Sequence, residues 1–114
     1  MGDLSDPELR RLADDYLAKC LDHGSAPHVN ELAAKAGMSA GDFSNLFLDL
    51  VGERPSVYLK RGQIECAKQL LLTTHLELNE IAYRCGFRRR RTFFRLFKRL
   101  VGTTPAAYRA AQRT

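Results

Sequence analysis

Apolar residues recur along this chain at spacings of three and four, in short runs closed by glycine or proline. Leu9, Leu12, Ala13, Tyr16, Leu17, Cys20 and Leu21 form the first stripe, with Asp6-Pro7 reading as N-cap and first helical position and Gly24 as the stop. A short second helix carries Val29, Leu32, Ala33 and Ala36 inside and closes at Gly37. Ser39-Ala40-Gly41-Asp42 reads as a variant capping box for a third helix, with Phe43, Leu46, Phe47 and Leu50 inward and an end near Gly52. Pro55 opens a longer helix to about Thr73, its apolar side formed by Val57, Tyr58, Leu59, Ile64, Ala67, Leu70 and Leu71. Such a helix is roughly 27 Å long, and its divided apolar faces suit a spacer between two small cores.

From Leu76 to Tyr108 the pattern repeats: a short helix, a turn at Cys85-Gly86-Phe87, and a second helix opening on Arg88, Arg89, Arg90 and Arg91. Asn30-Glu31-Leu32-Ala33 aligns with Asn79-Glu80-Ile81-Ala82, and Gly37 with Gly86, at an offset of 49. Beyond the turn the offset becomes 50, pairing Phe47 with Phe97, Val51 with Val101, Gly52 with Gly102, Pro55 with Pro105 and Tyr58 with Tyr108. The second copy therefore holds one extra residue where its second helix starts. Thr104-Pro105 caps a last short helix. Self-similarity of this length marks duplicated supersecondary units, here helix-turn-helices. The expected fold is all-α, seven helices without a sheet, forming one domain over 1–114. Within it, 7–52 and 76–112 are helix-turn-helix subdomains and 55–73 is the connector.

Charge sharpens this picture. The net +5 divides into −5 from Met1 to Gly52 and +10 from Glu53 to Thr114. Across Glu77 to Leu100, eight basic residues (Arg84, Arg88 to Arg91, Arg95, Lys98, Arg99) face only Glu77 and Glu80. A basic half-chain expects a polyanionic partner, and a helix beginning in arginine is suited to phosphates and base edges.

Other chemistry finds little support. Cys20, Cys66 and Cys85 are odd in number and widely spaced, which argues for buried thiols over a disulfide framework or zinc site. His23, His28 and His75 stand apart, as surface or capping residues. No nucleophile–base set, paired catalytic carboxylates or phosphate loop is visible, so neither an enzyme nor a cofactor is expected. No apolar run nears the ~20 residues of a membrane span and no leader pattern opens the chain, which points to the cytoplasm.

The ordered residues Glu80-Ile81-Ala82, Cys85-Gly86-Phe87, Phe93, Arg95-Leu96-Phe97-Lys98-Arg99, Gly102-Thr103-Thr104-Pro105 and Tyr108-Arg109 resemble the signature of the AraC/XylS family. The likeness runs from about Leu9 to Ala110. It implies the DNA-binding domain of a bacterial transcription regulator, each copy's second helix entering one of two successive major grooves of double-stranded DNA. Such grooves lie ~34 Å apart, which suits the connector. The family's base-reading positions fall on Gly41, Ser44 and Asn45 in the first copy and on Arg90, Arg91, Phe94 and Arg95 in the second, with Thr92 an added candidate. Arg88, Arg89, Lys98 and Arg99 are then the phosphate-binding set. Arginine grips guanine O6 and N7 with two hydrogen bonds and Asn45 suits adenine, whereas Gly41 has nothing to read with.

Three departures accompany the likeness. Asp42, Leu48 and Asp49 occupy positions where the family often shows polar or basic residues, which weakens the first copy's hold on phosphate. Arg88 stands where a Ser, Asp or Asn cap is usual, and four arginines oppose the helix dipole. Phe94 replaces a small polar residue and is read as outward, against a thymine methyl or simply exposed. Two functions follow: sequence-specific binding in two grooves dominated by the second copy, or an interaction module in which only the second copy holds DNA, largely through phosphates. In either, the acidic first half, including Asp14, Asp15 and Asp22, is free for RNA polymerase or for an N-terminal sensor and dimerisation domain that these residues do not encode.

Overall fold

The structure, a computed structural model, describes residues 4–113; the ends of the expected 1–114 domain, residues 1–3 and 114, lie outside them. Among the described residues there are seven helices and no strand: α1 Asp6–Asp22, α2 Val29–Lys35, α3 Ala40–Val51, α4 Pro55–Thr73, α5 Leu78–Arg84, α6 Arg90–Val101 and α7 Pro105–Arg113. Two apolar cores result. Leu9, Ala13, Leu17, Leu32, Phe43 and Phe47 fill the first. Ile81, Ala82, Phe87, Phe93 and Phe97 fill the second. The connector α4 serves both, giving Leu59 to one and Ile64, Ala67 and Leu71 to the other. The molecule is consequently elongated, 51 × 25 × 22 Å.

The sequence repeat is a structural repeat. α2 and α5 begin and end 49 residues apart, α3 and α6 50 apart. In each copy the turn closes in the same way: Gly37 N–H donates to Ala34 O and Met38 N–H to Ala33 O, as Gly86 does to Tyr83 O and Phe87 to Ala82 O, each over 3.0 Å. The two turn glycines have φ of 72° and 83°, left-handed values that side chains resist. Beyond α3 and α6 a buried proline starts the next helix. One turn later a tyrosine stands edge-on to the core phenylalanine: Tyr58 to Phe47 at 5.4 Å and Tyr108 to Phe97 at 5.7 Å. Thr104 caps α7 as expected, its Oγ1 accepting from Ala107 N–H over 3.1 Å.

Several details differ from expectation. α1 is capped by Ser5, not Asp6: Ser5 and Glu8 form a reciprocal capping box, because Glu8 three residues on can return the bond. Asp6 lies inside the helix and pairs with Arg10. The box proposed for α3 forms only its Ser39 arm, to Asp42 N–H at 3.2 Å. Leu50 and Val57 are 41% and 46% exposed rather than inward, since both fall beyond the edge of the stripe set by Phe43, Phe47 and Leu59. Cys20 and Cys85 are buried but Cys66 is only partly so. Finally, α6 starts at Arg90 with Arg89 as N-cap, so Arg88 precedes the helix altogether.

Candidate nucleic-acid interface

The second helices of the two copies, α3 and α6, expose the same positions. Phe43 and Phe47 are buried in α3, Phe93 and Phe97 in α6, and from Gly41 and Arg91 onward every pair of positions falls in the same class of burial. Exposed or half-exposed on α3 are thus Gly41, Asp42, Ser44, Asn45, Leu48 and Asp49. Their counterparts on α6 are Arg91, Thr92, Phe94, Arg95, Lys98 and Arg99. One scaffold therefore presents two surfaces of opposite sign: α3 carries two carboxylates and no cation, α6 five cations and no carboxylate.

At the start of α6 no side chain caps the free N–H groups, in contrast to Ser39 on α3. Cations around these amides raise the local positive potential, a cost to the helix that an anion would relieve. Arg90 does not project freely. Its guanidinium lies 5.2 Å from the centroid of the Phe94 ring, one turn along. Phe94 in turn is half-buried and stands edge-on to Phe93 at 5.4 Å, so it is not the fully outward ring expected. The aromatic draws one arginine along the helix and leaves Arg91, Thr92, Arg95, Lys98 and Arg99 fully at the surface.

Between the two units two clefts open. One, of about 520 Å³, lies between Ala26 and Pro27 of the α1–α2 loop, Lys60 of α4, and Arg88, Arg95 and Arg99. The other, of about 710 Å³, shares Ala26 and Arg88 and adds Lys19, His23, Lys35 and Glu31. Arg88 is the residue by which the second copy exceeds the first: Met38 aligns with Phe87 and Ser39 with Arg89. The insertion thus sets a cation in the seam between units.

Three structural supports were not legible as such in the sequence. Gln63, 5% exposed, donates from Nε2 to Cys85 O over 3.0 Å and so ties the connector to the second turn. A polar residue inside the stripe of Leu59, Ile64 and Ala67 was the available signal. Arg109 of α7 donates to the carbonyls of Leu71, Leu76 and Thr74 over 3.1, 2.9 and 3.2 Å, closing the end of α4 and the segment leading to α5. Tyr58 Oη donates to Asp14 Oδ1 over 2.9 Å. Asp14, which stays exposed, therefore has one carboxylate oxygen engaged within the protein. Burial, then this bond, push the Tyr58 hydroxyl up to about 12. Burial and the bond to Glu31 likewise raise Tyr16, whose hydroxyl also meets the backbone of His28.

Among the described residues no cluster of three or more His, Cys, Asp or Glu is arranged to hold a metal ion, and no helix is long and apolar enough to cross a membrane. The sequence profile of the helix-turn-helix domain family matches residues 32–111. The chain is 43% identical over 88 residues to the HTH-type transcriptional regulator Rv1931c of Mycobacterium tuberculosis, covering 77% of this chain and 34% of that protein. Across four curated relatives that it matches, the chain spans between 21% and 38% of their length. Among solved structures it resembles the DNA-binding domain of AdpA, a global transcriptional factor, in complex with a target DNA (37% identity, TM-score 0.78, 89% of this chain and 92% of that one). It also resembles the C-terminal domain of AraT, a response regulator from Geobacillus stearothermophilus (28% identity, TM-score 0.80, 96% and 88%). With the duplicated helix-turn-helix, the shared turn geometry and these matches in agreement, the chain belongs to the AraC/XylS family of transcriptional regulators, in the part that forms their AraC-type helix-turn-helix domain.

Proposed function

We propose that this domain binds double-stranded DNA sequence-specifically and regulates transcription, α3 and α6 entering two successive major grooves and the second helix-turn-helix dominating. The observation that carries this reading is the pairing of α3 and α6: equal geometry, equal exposure, opposite charge. Residues 7–52 and 76–112 act as two reading units on one DNA-binding domain, held apart by the connector over 55–73. Arg91, Thr92 and Arg95 read base edges, with Arg95 suited to guanine; Arg90 and Phe94 act as a pair, the ring toward a thymine methyl and the guanidinium at its rim. Ser44 and Asn45 read more loosely on α3. Arg88, Arg89, Lys98 and Arg99 hold phosphates and fix the register. The domain acts in the cytoplasm, with RNA polymerase or an N-terminal sensor and dimerisation domain as further partners. Asp15 and Asp22, both exposed on α1, are acidic groups available to them.

A second reading keeps only α6 on DNA and gives α3 to a protein partner. It is favoured by Asp42, Asp49 and the exposed Leu48 on the recognition face itself. Selection of bound sites from a random ~30-base-pair library at moderate salt separates the two, since half-sites for two grooves lie ~10 base pairs apart. Two enriched blocks one helical turn apart support two-groove reading, with Asn45 among the readers. One G-rich block transfers α3 to the second reading. Salt-sensitive binding without any enrichment overturns sequence specificity altogether.

A further inference from the structure

A protein that reads two successive major grooves from one side of a duplex must pass the minor groove between them and the strand backbone that borders it. The part of this molecule that meets that backbone is the seam between its two units. There the α1–α2 loop, the middle of α4 and the start of α6 converge on the cleft of about 520 Å³. Lys60, Arg88, Arg89, Arg95 and Arg99 line it and no carboxylate does. None of these five forms an ion pair among the described residues, although elsewhere Arg10, Arg61, Lys68 and Arg84 each do. Thr92, Arg95 and Arg99 lie at intervals of three and four on α6, so the side of that helix turned to the first unit is the cationic wall. Arg88, the inserted residue, lines this cleft and its neighbour, and is the one cation common to both.

From this convergence we infer that the inter-unit cleft is a phosphate-binding site, with Lys60 and Arg88 as its principal ligands, occupied by the DNA backbone between the two half-sites. It rests on the two-groove reading above and adds to it a third point of attachment, supplied by the connector and by the residue ahead of α6, beside the base-reading side of that helix. Lys60 lies on the connector, outside both helix-turn-helices, and Arg88 lies ahead of α6. The chemistry at the cleft is that of a phosphodiester: several cations on flexible stems, the free N–H groups of α6 close by, and no competing carboxylate. The same chemistry would accept a free polyphosphate, and the experiment is arranged to tell the sources apart.

The test uses the intact chain and its selected site. The affinity of wild type and of the double variant Lys60→Gln, Arg88→Gln is followed against salt, on a normal duplex and on one with neutral methylphosphonates at the phosphates between the half-sites. Both side chains are exposed, and an unchanged thermal melt establishes that the variant is folded. The expected result is a log–log salt slope shallower by about two in the variant, one per lost phosphate contact. The methylphosphonate duplex should give wild type that same shallower slope and leave the variant unaffected. An unchanged slope in the variant, or equal effects of the neutral phosphates on both proteins, overturns the seam as a DNA contact while leaving the two-groove reading intact. Failure of wild type to select any site defeats that reading instead. Stoichiometric binding of inorganic tripolyphosphate without DNA, lost in the double variant and paired with an unchanged DNA slope, assigns the cleft to a free anion and overturns the proposal.

Discussion

Gln63 on the connector donates from its side-chain amide to the backbone carbonyl of Cys85, the C-cap of α5, over 3.0 Å in a buried bond. The bond makes the second turn part of the connector, not an appendage to it, and so fixes the direction in which α6 leaves. Replacing Gln63 by leucine keeps most of the volume but strands the Cys85 carbonyl in an apolar setting. We expect a loss of about 1–3 kcal/mol of stability, seen in urea denaturation as a lower midpoint at unchanged slope. An unaltered midpoint would show that this carbonyl finds another donor.

Gly86 and Gly37 hold equivalent places, and alanine at each separates strain from crowding. Both have positive φ, so both substitutions meet the left-handed penalty of roughly 1–2 kcal/mol. Around Gly37 nothing lies within 4 Å of an added Cβ, whereas at Gly86 it would meet Gln63 Nε2 at 3.0 Å and the Ser25 carbonyl at 3.2 Å. Gly86→Ala should therefore be the more damaging by about 1–3 kcal/mol. Equal losses in calorimetric or urea unfolding would mean that the seam relaxes freely around the second turn.

The fold was legible in the sequence to an unusual degree because each boundary is marked by a residue whose backbone preference is strong. Pro55 and Pro105 start helices; Gly37, Gly52, Gly86 and Gly102 end or turn them at positive φ. Apolar character alone does not say where a stripe ends, and so Leu50 and Val57 read as inward from the pattern but are exposed. Four identical residues carry no internal marker of which one caps, and so the pattern opens α6 at Arg88 where the helix begins at Arg90. At the candidate site the charge of α6 was plain, but contacts between distant residues were not. The Tyr58–Asp14 bond and the Arg109 clamp join elements far apart in sequence, and Lys60 and Arg88 line one cleft from distant segments, with no local periodicity to announce any of them.

Stability at alkaline pH should report the Tyr58–Asp14 contact. The Tyr58 hydroxyl is raised from 10.0 to about 12 by burial and then by the bond to Asp14. A raised value means that the unfolded chain loses this proton first. The stabilisation is accordingly complete below the ordinary value of 10.0 and is lost as pH rises from there through about 12. Tyr58→Phe should be less stable than wild type at pH 8 and should lose less between pH 9.5 and 11.5, a prediction checked by urea midpoints at half-unit steps. Parallel curves for the two proteins would exclude Tyr58 as a source of the dependence; Tyr16, raised in the same direction, would continue to contribute in both.

Base reading and phosphate holding give different signatures on α6. Arg95→Ala should cost about 1–3 kcal/mol at the selected site and far less on random DNA, because a two-pronged grip on guanine is lost. Arg88→Ala, ahead of the helix, should weaken both alike and flatten the salt dependence by about one. Competition binding with specific and scrambled duplexes across a salt series reads both quantities. A change of base preference on Arg88→Ala would shift the reading register back by one residue.

The equivalence of α3 and α6 makes a gain of function predictable as well as losses. Asp49 occupies on α3 the place that Arg99 occupies on α6, both exposed and both in the last turn. In that turn a carboxylate opposes the helix dipole and a guanidinium favours it, so Asp49→Arg should leave the fold intact or stabilise it by up to ~1 kcal/mol. Beside a phosphate it replaces repulsion with attraction. Binding to a duplex carrying both half-sites should tighten by about tenfold at low salt, and the salt slope should steepen by about one. A duplex carrying only the α6 half-site inside neutral flanks should show little of either change. If the variant tightens equally on the two duplexes, the added charge acts as a general attraction and α3 does not lie in a groove. If it tightens on neither, α3 faces away from DNA, and the acidic face of the first unit belongs to a protein partner.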